Sequence, residues 1–332
     1  MIRAFTTLSN ALARRGERAW AQGQAVVLLA LYRLAAMLVR IVPLWFSYWC
    51  ACRIADVIFF AVWRDKRRVT IQNMRLVLGP SASPRTVRAC ARESVRNYAK
   101  YVVEFLRFAS LRHRHILDAL EITDWSRFDA LRAEGRGVLF VAFHTGNWDL
   151  AGAAAGLRGY PLHVVADVVG PPLLNAEIQG IRRRQGIRLI EADHPAAAAR
   201  ALIKALRAGE MAGILIDVPA PDGVPVRLFG KTAYLPAGPA TIALRTGARV
   251  VPTAVFRRPD NRFELLVDES FCYAPRGDRE HDIRSLTQAM ASALEALVRR
   301  QPEQWYIFRE LWPVRATLTA PRSAPAAVGA DA

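Results

Sequence analysis

From Gly137 onward the chain alternates short apolar runs with stretches of helical period, and this alternation constrains the fold more than any other feature. Candidate strands lie at 137–143, 161–166, 187–190, 211–217, 224–229, 249–255 and 262–268. Candidate helices fill 148–157, 173–185, 196–208, 237–246 and 281–299. Strands that take turns with helices fold as an α/β layer structure, here a mostly parallel sheet flanked by helices. The run Gly137–Phe143 reads as a buried strand, followed at once by the polar segment His144-Thr-Gly-Asn-Trp-Asp149. Sites in open α/β sheets form beyond the carboxyl ends of strands. His144 and Asp149 are therefore the first candidates for chemistry.

Before Gly137 the texture is helical and basic. Residues 1–136 hold 23 Lys and Arg against 10 Asp and Glu, so 13 of the 17 net positive charges lie there. The stretch 24–63 is mostly apolar, interrupted by Arg33 and Arg40 seven residues apart on one helical face. Pro43 separates two helices, at about 24–41 and 44–62. Neither holds the roughly 18 uncharged apolar residues of a clear span. Trp45, Trp49 and Trp63 suit a lipid–water interface. The reading is a membrane-associated helical hairpin dipping into one leaflet, with a single tilted span as the alternative. The basic cluster Arg64-Asp-Lys-Arg-Arg68 follows it directly and is expected to hold phosphate head groups. Helices are expected at 69–79 and 85–108. In the second, Val87, Cys90, Ala91, Val95, Tyr98, Val102 and Leu106 recur at helical spacing and are expected to face a core.

The organisation expected is a basic segment 1–23, the hairpin 24–63, a basic helical part 64–136, an α/β core 137–312 and a disordered tail 313–332, rich in Ala, Pro, Thr and Ser. A chain 52 % apolar, with mean hydropathy +0.11 and pI near 10.7, points to anionic membrane lipids as a partner. Nucleic acid is set aside because no helix-turn-helix, finger or RNP-like signature occurs. Cys50, Cys52, Cys90 and Cys272 match no zinc spacing and read as reduced, packed thiols. Arg112-His-Arg-His115 reads as surface rather than as a metal site.

A histidine can take a proton from a hydroxyl near neutral pH, and a carboxylate that fixes its tautomer improves it as a base. If a helix starts just after His144, Asp149 falls in its first turn, where the helix N-terminus favours an ionised aspartate. A His144–Asp149 dyad is thus allowed by the spacing. The chain has no Gly-x-Ser-x-Gly elbow and no cysteine near this segment. A dyad without a resident nucleophile points to a hydroxyl brought by the substrate.

His144-Thr-Gly-Asn-Trp-Asp149 resembles the His-x4-Asp/Glu motif of the lipid A biosynthesis (late) acyltransferases and the related phosphatidylinositol mannoside acyltransferases. Other segments resemble that family in the same order. They are Arg68 to Gly79, Pro172 to Asn175 with Arg182 to Gly186, Leu228 to Ala233 with Pro236 to Pro239 and Arg245 to Ala248, and Pro302-Glu-Gln-Trp-Tyr306. The resemblance spans about residues 25 to 312 and implies a glycerol-phosphate-acyltransferase-like fold at the bacterial cytoplasmic (inner) membrane, with its site facing the cytoplasm. It implies transfer of a fatty acyl chain from acyl carrier protein or acyl-coenzyme A to a glycolipid hydroxyl, without metal or cofactor. By the same resemblance His144 is the general base and Asp149 its partner. Arg182 and Arg184 are candidates for a phosphate or for charge on the thioester oxygen, and Asn175, Asp217 and Lys231 are further substrate-binding candidates. Two departures stand out. Val218-Pro219 follows Asp217 where many relatives carry Asp-Gln, and Val224-Pro-Val-Arg-Leu228 lacks an acidic residue that some relatives have. Lysophospholipid acylation and non-enzymatic lipid binding at a membrane are the alternative readings.

Overall fold

The structure, a computed structural model, describes residues 2–122, 125–192 and 194–312, with side chains from residue 22 onward. The side chains of the basic segment 1–23 up to residue 21 and the whole tail 313–332 lie outside that description.

The first half is helical. Helix α1 runs Ile2–Ile41 and α2 runs Leu44–Val57, continued by a π turn Ile58–Val62. They are followed by α3 (Arg64–Leu78), α4 (Pro84–Phe108), α5 (His113–Ala119), the short strand β1 (Leu120–Glu121) and α6 (Ser126–Ala133). Pro43 breaks the apolar stretch where expected. Gln22–Ile41 and Leu44–Val62 are long and apolar enough to cross a bilayer. The two helices do not lie side by side as a hairpin would: both pack on α4, and α1 also packs along α8. Helix α4 therefore joins the apolar pair to the rest of the molecule. It begins at a Ser83 cap, whose hydroxyl accepts from the Thr86 N–H at 3.1 Å, followed by Pro84 at the first helical position. Val87, Ala91 and Val95 are buried as their period requires, but Val102 is exposed.

The second half comprises β2 (Val138–Ala142), α7 (Trp148–Leu157), β3 (Leu162–Ala166), α8 (Pro172–Arg184), β4 (Arg188–Glu191) and α9 (Pro195–Arg207). It continues with β5 (Met211–Leu215), β6 (Val224–Leu228), β7 (Lys231–Leu235), α10 (Gly238–Thr246), β8 (Arg249–Arg257), β9 (Phe263–Val267), α11 (Arg279–Val298) and a 3-10 turn Pro302–Gln304. Seven strands form one sheet in the order β1-β9-β8-β2-β5-β3-β4, parallel except for the β8/β9 pair. The α/β architecture with a mostly parallel, helix-flanked sheet is the one the sequence predicts.

Strand β2 is buried on both faces. Leu139 and Val141 join the core built with α3, α4, α9, α10 and α11, while Val138 and Phe140 pack with Phe128, Tyr160, Met211 and Val251 on the other side. Its neighbours are β8 and β5, so its carboxyl end lies in the middle of the sheet.

One expected strand behaves differently. Segment 224–229 is not in the sheet but pairs with β7 in a separate antiparallel hairpin. Leu228 pairs with Lys231 across a two-residue turn, and both turn residues, Phe229 (φ 47°) and Gly230 (φ 77°), have positive φ. This is the turn geometry that matches the twist of a hairpin.

Candidate active site

Strand β2 delivers His144 two residues past its end. Gly146 then turns the chain with φ +56°, and a Cβ there would stand 2.1 Å from the Val255 carbonyl oxygen. No other residue fits both the conformation and the space. Asn147 caps α7 by accepting the Leu150 N–H at 3.0 Å. Helix α7 is built of small residues so that it can lie close to its neighbours; at Gly156 a Cβ would meet the Gly186 carbonyl oxygen at 2.1 Å.

Strand β5 ends beside β2, and Asp217 follows it as His144 follows β2. The two meet there. His144 Nδ1 lies 2.6 Å from Asp217 Oδ1, and the His144 backbone N–H donates to Asp217 Oδ2 at 2.9 Å. The Trp305 indole N–H donates to the same oxygen at 2.8 Å. Trp305 is fully buried and stacks on Phe143, with ring centroids 5.3 Å apart. The Asp217 side chain is 1 % exposed and the His144 ring 33 %.

Burial disfavours charge on both groups, but their mutual attraction outweighs it. Asp217 is held below the ordinary carboxylate range, with the Trp305 and backbone hydrogen bonds assisting, and His144 is held above the ordinary imidazole value. With Asp217 ionised, Nδ1–H is the donor and Nε2 carries the lone pair. The edge of Trp148 lies against the ring, centroids 5.0 Å apart and planes at 86°.

Asp149 does not turn back to the imidazole as the spacing had suggested. Because Asn147 takes the cap, Trp148 is the first residue of α7 and faces the histidine, and Asp149 is rotated from it by about 100°. Its carboxylate accepts from Arg182 Nε at 2.7 Å and Nη2 at 3.2 Å, and from the Tyr101 hydroxyl at 2.7 Å. Burial opposes charge on Arg182, but Asp149 keeps its pKa above the usual guanidinium value. Burial and then the Asp149 charge push the Tyr101 phenol well up. Arg182 Nη1 donates to Gln179, so each nitrogen of this guanidinium has a partner inside the protein.

The other sequence candidates stand apart from His144. Asn175 accepts from the Val169 N–H at 3.1 Å and from Gln179 at 3.2 Å, holding the loop before α8. Arg184 is exposed on α8, 3.9 Å from Glu177, which also accepts from Arg33 of α1 at 2.6 Å. Lys231 is exposed on β7, and among the described residues no hydrogen bond or ion pair joins it to the His144 cluster. No group of His, Cys, Asp or Glu among the described residues is arranged to hold a metal ion.

Two supports hold the loop after β2; the sequence marked the first only by its resemblance to the family, and the second not at all. One is the segment carrying Pro302-Glu-Gln-Trp-Tyr306. Tyr306 N–H donates to the His144 carbonyl at 2.9 Å, Gly146 N–H donates to the Gln304 carbonyl at 3.2 Å, and Thr145 bridges Trp305. The Gln304 side chain spans the backbone N–H and C=O of Arg257 at 2.6 and 2.8 Å.

The second support is a polar stripe on α4 at Ser94, Asn97, Tyr101 and Glu104, spaced three, four and three apart on one helical face. Ser94 donates to the Trp305 carbonyl at 2.7 Å and Asn97 to the Glu303 carbonyl at 3.1 Å. Tyr101 holds Asp149, and Glu104 accepts from Asn147 at 2.8 Å, from the Tyr48 hydroxyl at 2.5 Å and from Arg257. The helical period of α4 was the signal that could have revealed this face. Arg309, also missed, is exposed; the Asn73 amide donates to its carbonyl at 2.8 Å, and its charge acts on His144.

A partly exposed imidazole oriented by a buried carboxylate, at the carboxyl ends of adjacent parallel strands, defines a class: an α/β protein with a histidine–aspartate pair at the carboxyl edge of its sheet. The comparisons give the class its family. Residues 23–313 match the bacterial lipid A biosynthesis acyltransferase family. The chain is 27 % identical over 229 residues to a phosphatidylinositol mannoside acyltransferase of Mycolicibacterium smegmatis, covering 67 % of this chain and 71 % of that protein. It is also 27 % identical over 249 residues to the protein of that name in Mycobacterium tuberculosis, covering 73 % and 75 %. The chain belongs to the lipid A biosynthesis acyltransferase family and is an O-acyltransferase.

Proposed function

We propose that this enzyme moves a fatty acyl chain from a thioester, carried by acyl carrier protein or coenzyme A, to a hydroxyl of a glycolipid of the lipid A or phosphatidylinositol mannoside type. The reaction takes place at the bacterial cytoplasmic membrane with the site facing the cytoplasm, and the two apolar helices and the basic first half hold the enzyme there. The observation that carries the mechanism is the 2.6 Å contact between His144 Nδ1 and Asp217. It fixes the tautomer that leaves Nε2 basic on a ring open to substrate.

Nε2 takes the proton of the acceptor hydroxyl as that oxygen bonds to the thioester carbonyl carbon. The carbonyl π electrons move to oxygen, and Asp217 steadies the imidazolium. When the tetrahedral centre collapses, the C–S bond breaks, and the proton passes from Nε2 to the departing sulfur. The products are an ester and a free thiol, and His144 returns to its starting state. Asp149 contributes by bracing Arg182 and Tyr101 beneath the catalytic loop. Exposed Arg309, whose charge acts on His144, is a cation available for substrate phosphate.

The test is transfer of radiolabelled acyl groups by membranes containing the protein, with each donor supplied in turn and products resolved by mass spectrometry. H144A and D217N, folded by circular dichroism, are expected to lose about 100-fold or more in rate. Full activity in either variant defeats the mechanism, and full activity with no acylated glycolipid defeats the acceptor class.

A further inference from the structure

Among the described residues, large apolar side chains are left exposed in two regions. One is the α1–α2 pair together with Val102 of α4, the helix on which both pack. The other is the loop between β3 and α8 with the first turn of α8, where Val168, Val169 and Leu173 are 51, 38 and 46 % exposed. Single exposed apolar residues need no explanation, but three within six residues, on a loop and the helix turn it leads into, form a patch.

The loop is also held in place. The Val169 N–H donates to Asn175 Oδ1 at 3.1 Å, the buried Gln179 amide donates to the Asp167 carbonyl at 3.1 Å, and the Asn175 N–H donates to the Pro171 carbonyl at 2.9 Å. Pro171 and Pro172 stiffen the rest. Two side-chain amides thus keep the apolar tip presented to the outside rather than letting it fold under.

The place of the loop indicates what covers it. Helix α8, which it opens, packs along α1, and Arg33 of α1 reaches Glu177 of α8. At that seam Arg33 and Arg184 are both exposed and share the single Glu177 carboxylate, leaving a net positive charge. An apolar tip beside a long apolar helix, rimmed by unneutralised arginine, matches acyl chains below an anionic head-group layer. At its other end the loop begins with Asp167, whose charge acts on His144.

We infer that Val168–Leu173 is a second membrane contact, seated in the same leaflet as the α1–α2 pair, with the acyl chains of an anionic bilayer as its occupant and Arg33 and Arg184 meeting lipid phosphate. The inference rests on the membrane reading of that pair and extends it.

The test uses the full chain with its four native cysteines replaced and one new cysteine at a time: V169C, L173C, W45C on α2, and R284C on α11. Each is nitroxide-labelled and reconstituted in phosphatidylglycerol–phosphatidylethanolamine vesicles, and accessibility to oxygen is compared with that to a nickel chelate. Labels at 169 and 173 are expected to favour oxygen as the label at 45 does, while the label at 284 favours the nickel chelate. Aqueous labels at 169 and 173 with a lipid-exposed label at 45 overturn the loop's role and leave the helix pair intact. An aqueous label at 45 as well overturns the membrane reading and the inference with it. In parallel, V168S/V169S/L173S is expected to raise the vesicle concentration for half-maximal transfer about tenfold, while kcat in detergent stays unchanged. An unchanged vesicle dependence overturns the proposal.

Discussion

At the residue scale, the site depends on how one buried carboxylate is held. Asp217 receives three hydrogen bonds, two of them from His144 itself and the third from Trp305. Its charge keeps the imidazole pKa above the ordinary value although burial acts the other way. The proposed mechanism needs the neutral ring, so kcat/KM should rise with pH through a value above 6.5 and level off beyond it. In D217N the carboxylate is gone and the burial remains, so the rising limb should move to lower pH while the plateau drops about 10²- to 10⁴-fold, because an asparagine amide that donates to Nδ1 selects the wrong tautomer. A pH–rate profile of the two proteins checks both statements; an unmoved limb would mean that another group sets it. W305F keeps most of the ring packing and removes one donor, which leaves a buried acceptor short by about 1–3 kcal/mol. The expected result is a loss of roughly tenfold or more in kcat with KM nearly unchanged, read from steady-state kinetics. His144 was legible in the sequence because an apolar run ends just before it. Its partner was not, because nothing local says that the strand ending before Asp217, 73 residues later, lies next to β2. Asp217 could be named as a candidate by the family resemblance, as a substrate-binding residue, but pairing it with His144 required the order of the sheet.

At the element scale, α4 connects everything that matters to the loop after β2. Its apolar period was readable: Val87, Ala91 and Val95 are buried, Cys90, Tyr98 and Leu106 are partly buried, and Val102 alone of the seven is exposed. Its polar stripe was hidden because Ser94, Asn97, Tyr101 and Glu104 look like an ordinary solvated face until the 302–306 segment and α7 are laid across it. Glu104 is the most demanding member, with Arg257, Tyr48 and the α7 cap Asn147 converging on one carboxylate that is 11 % exposed. Removing its charge leaves the Arg257 guanidinium buried without a counter-charge, a type of loss that costs about 3–5 kcal/mol. E104Q should therefore lower the thermal midpoint by several degrees and depress activity through the Asn147 cap. N147A, which loses only the cap, should cost about 1 kcal/mol. Scanning calorimetry of the two variants separates these effects. Equal destabilisation would show that Glu104 acts through the cap alone. The same scale explains the β6–β7 misreading: a buried alternating run is compatible with a sheet strand or a hairpin arm, and only the paired positive φ values at Phe229 and Gly230 decide it.

At the scale of the whole molecule, charge and apolar surface are segregated along the chain. The α/β layer was predictable because its strands and helices alternate with clear periods. The packing of α1 and α2 was not, because an apolar helix pair separated by a proline suggests a hairpin, whereas here each member finds its own place on α4. The segregation makes a measurable prediction. The first 136 residues carry 13 of the 17 net positive charges together with the exposed apolar helices. Binding to vesicles should thus have an electrostatic part and an apolar part that salt can separate. Screening is nearly complete beyond about 3 Å at 1 M salt, so binding to anionic vesicles should weaken between 0.1 and 1 M salt by roughly the contribution of the basic cluster, about 1 kcal/mol for each Lys or Arg near the surface. Binding to zwitterionic vesicles should stay flat, since only the apolar helices act there. Neutralising Arg64, Lys66 and Arg68 to Gln should reduce the salt dependence without releasing the protein from either kind of vesicle. Full release in high salt would instead make the protein a purely electrostatic peripheral binder. The apolar helices would then lie on protein rather than in lipid, and the acceptor would have to leave the bilayer to meet His144.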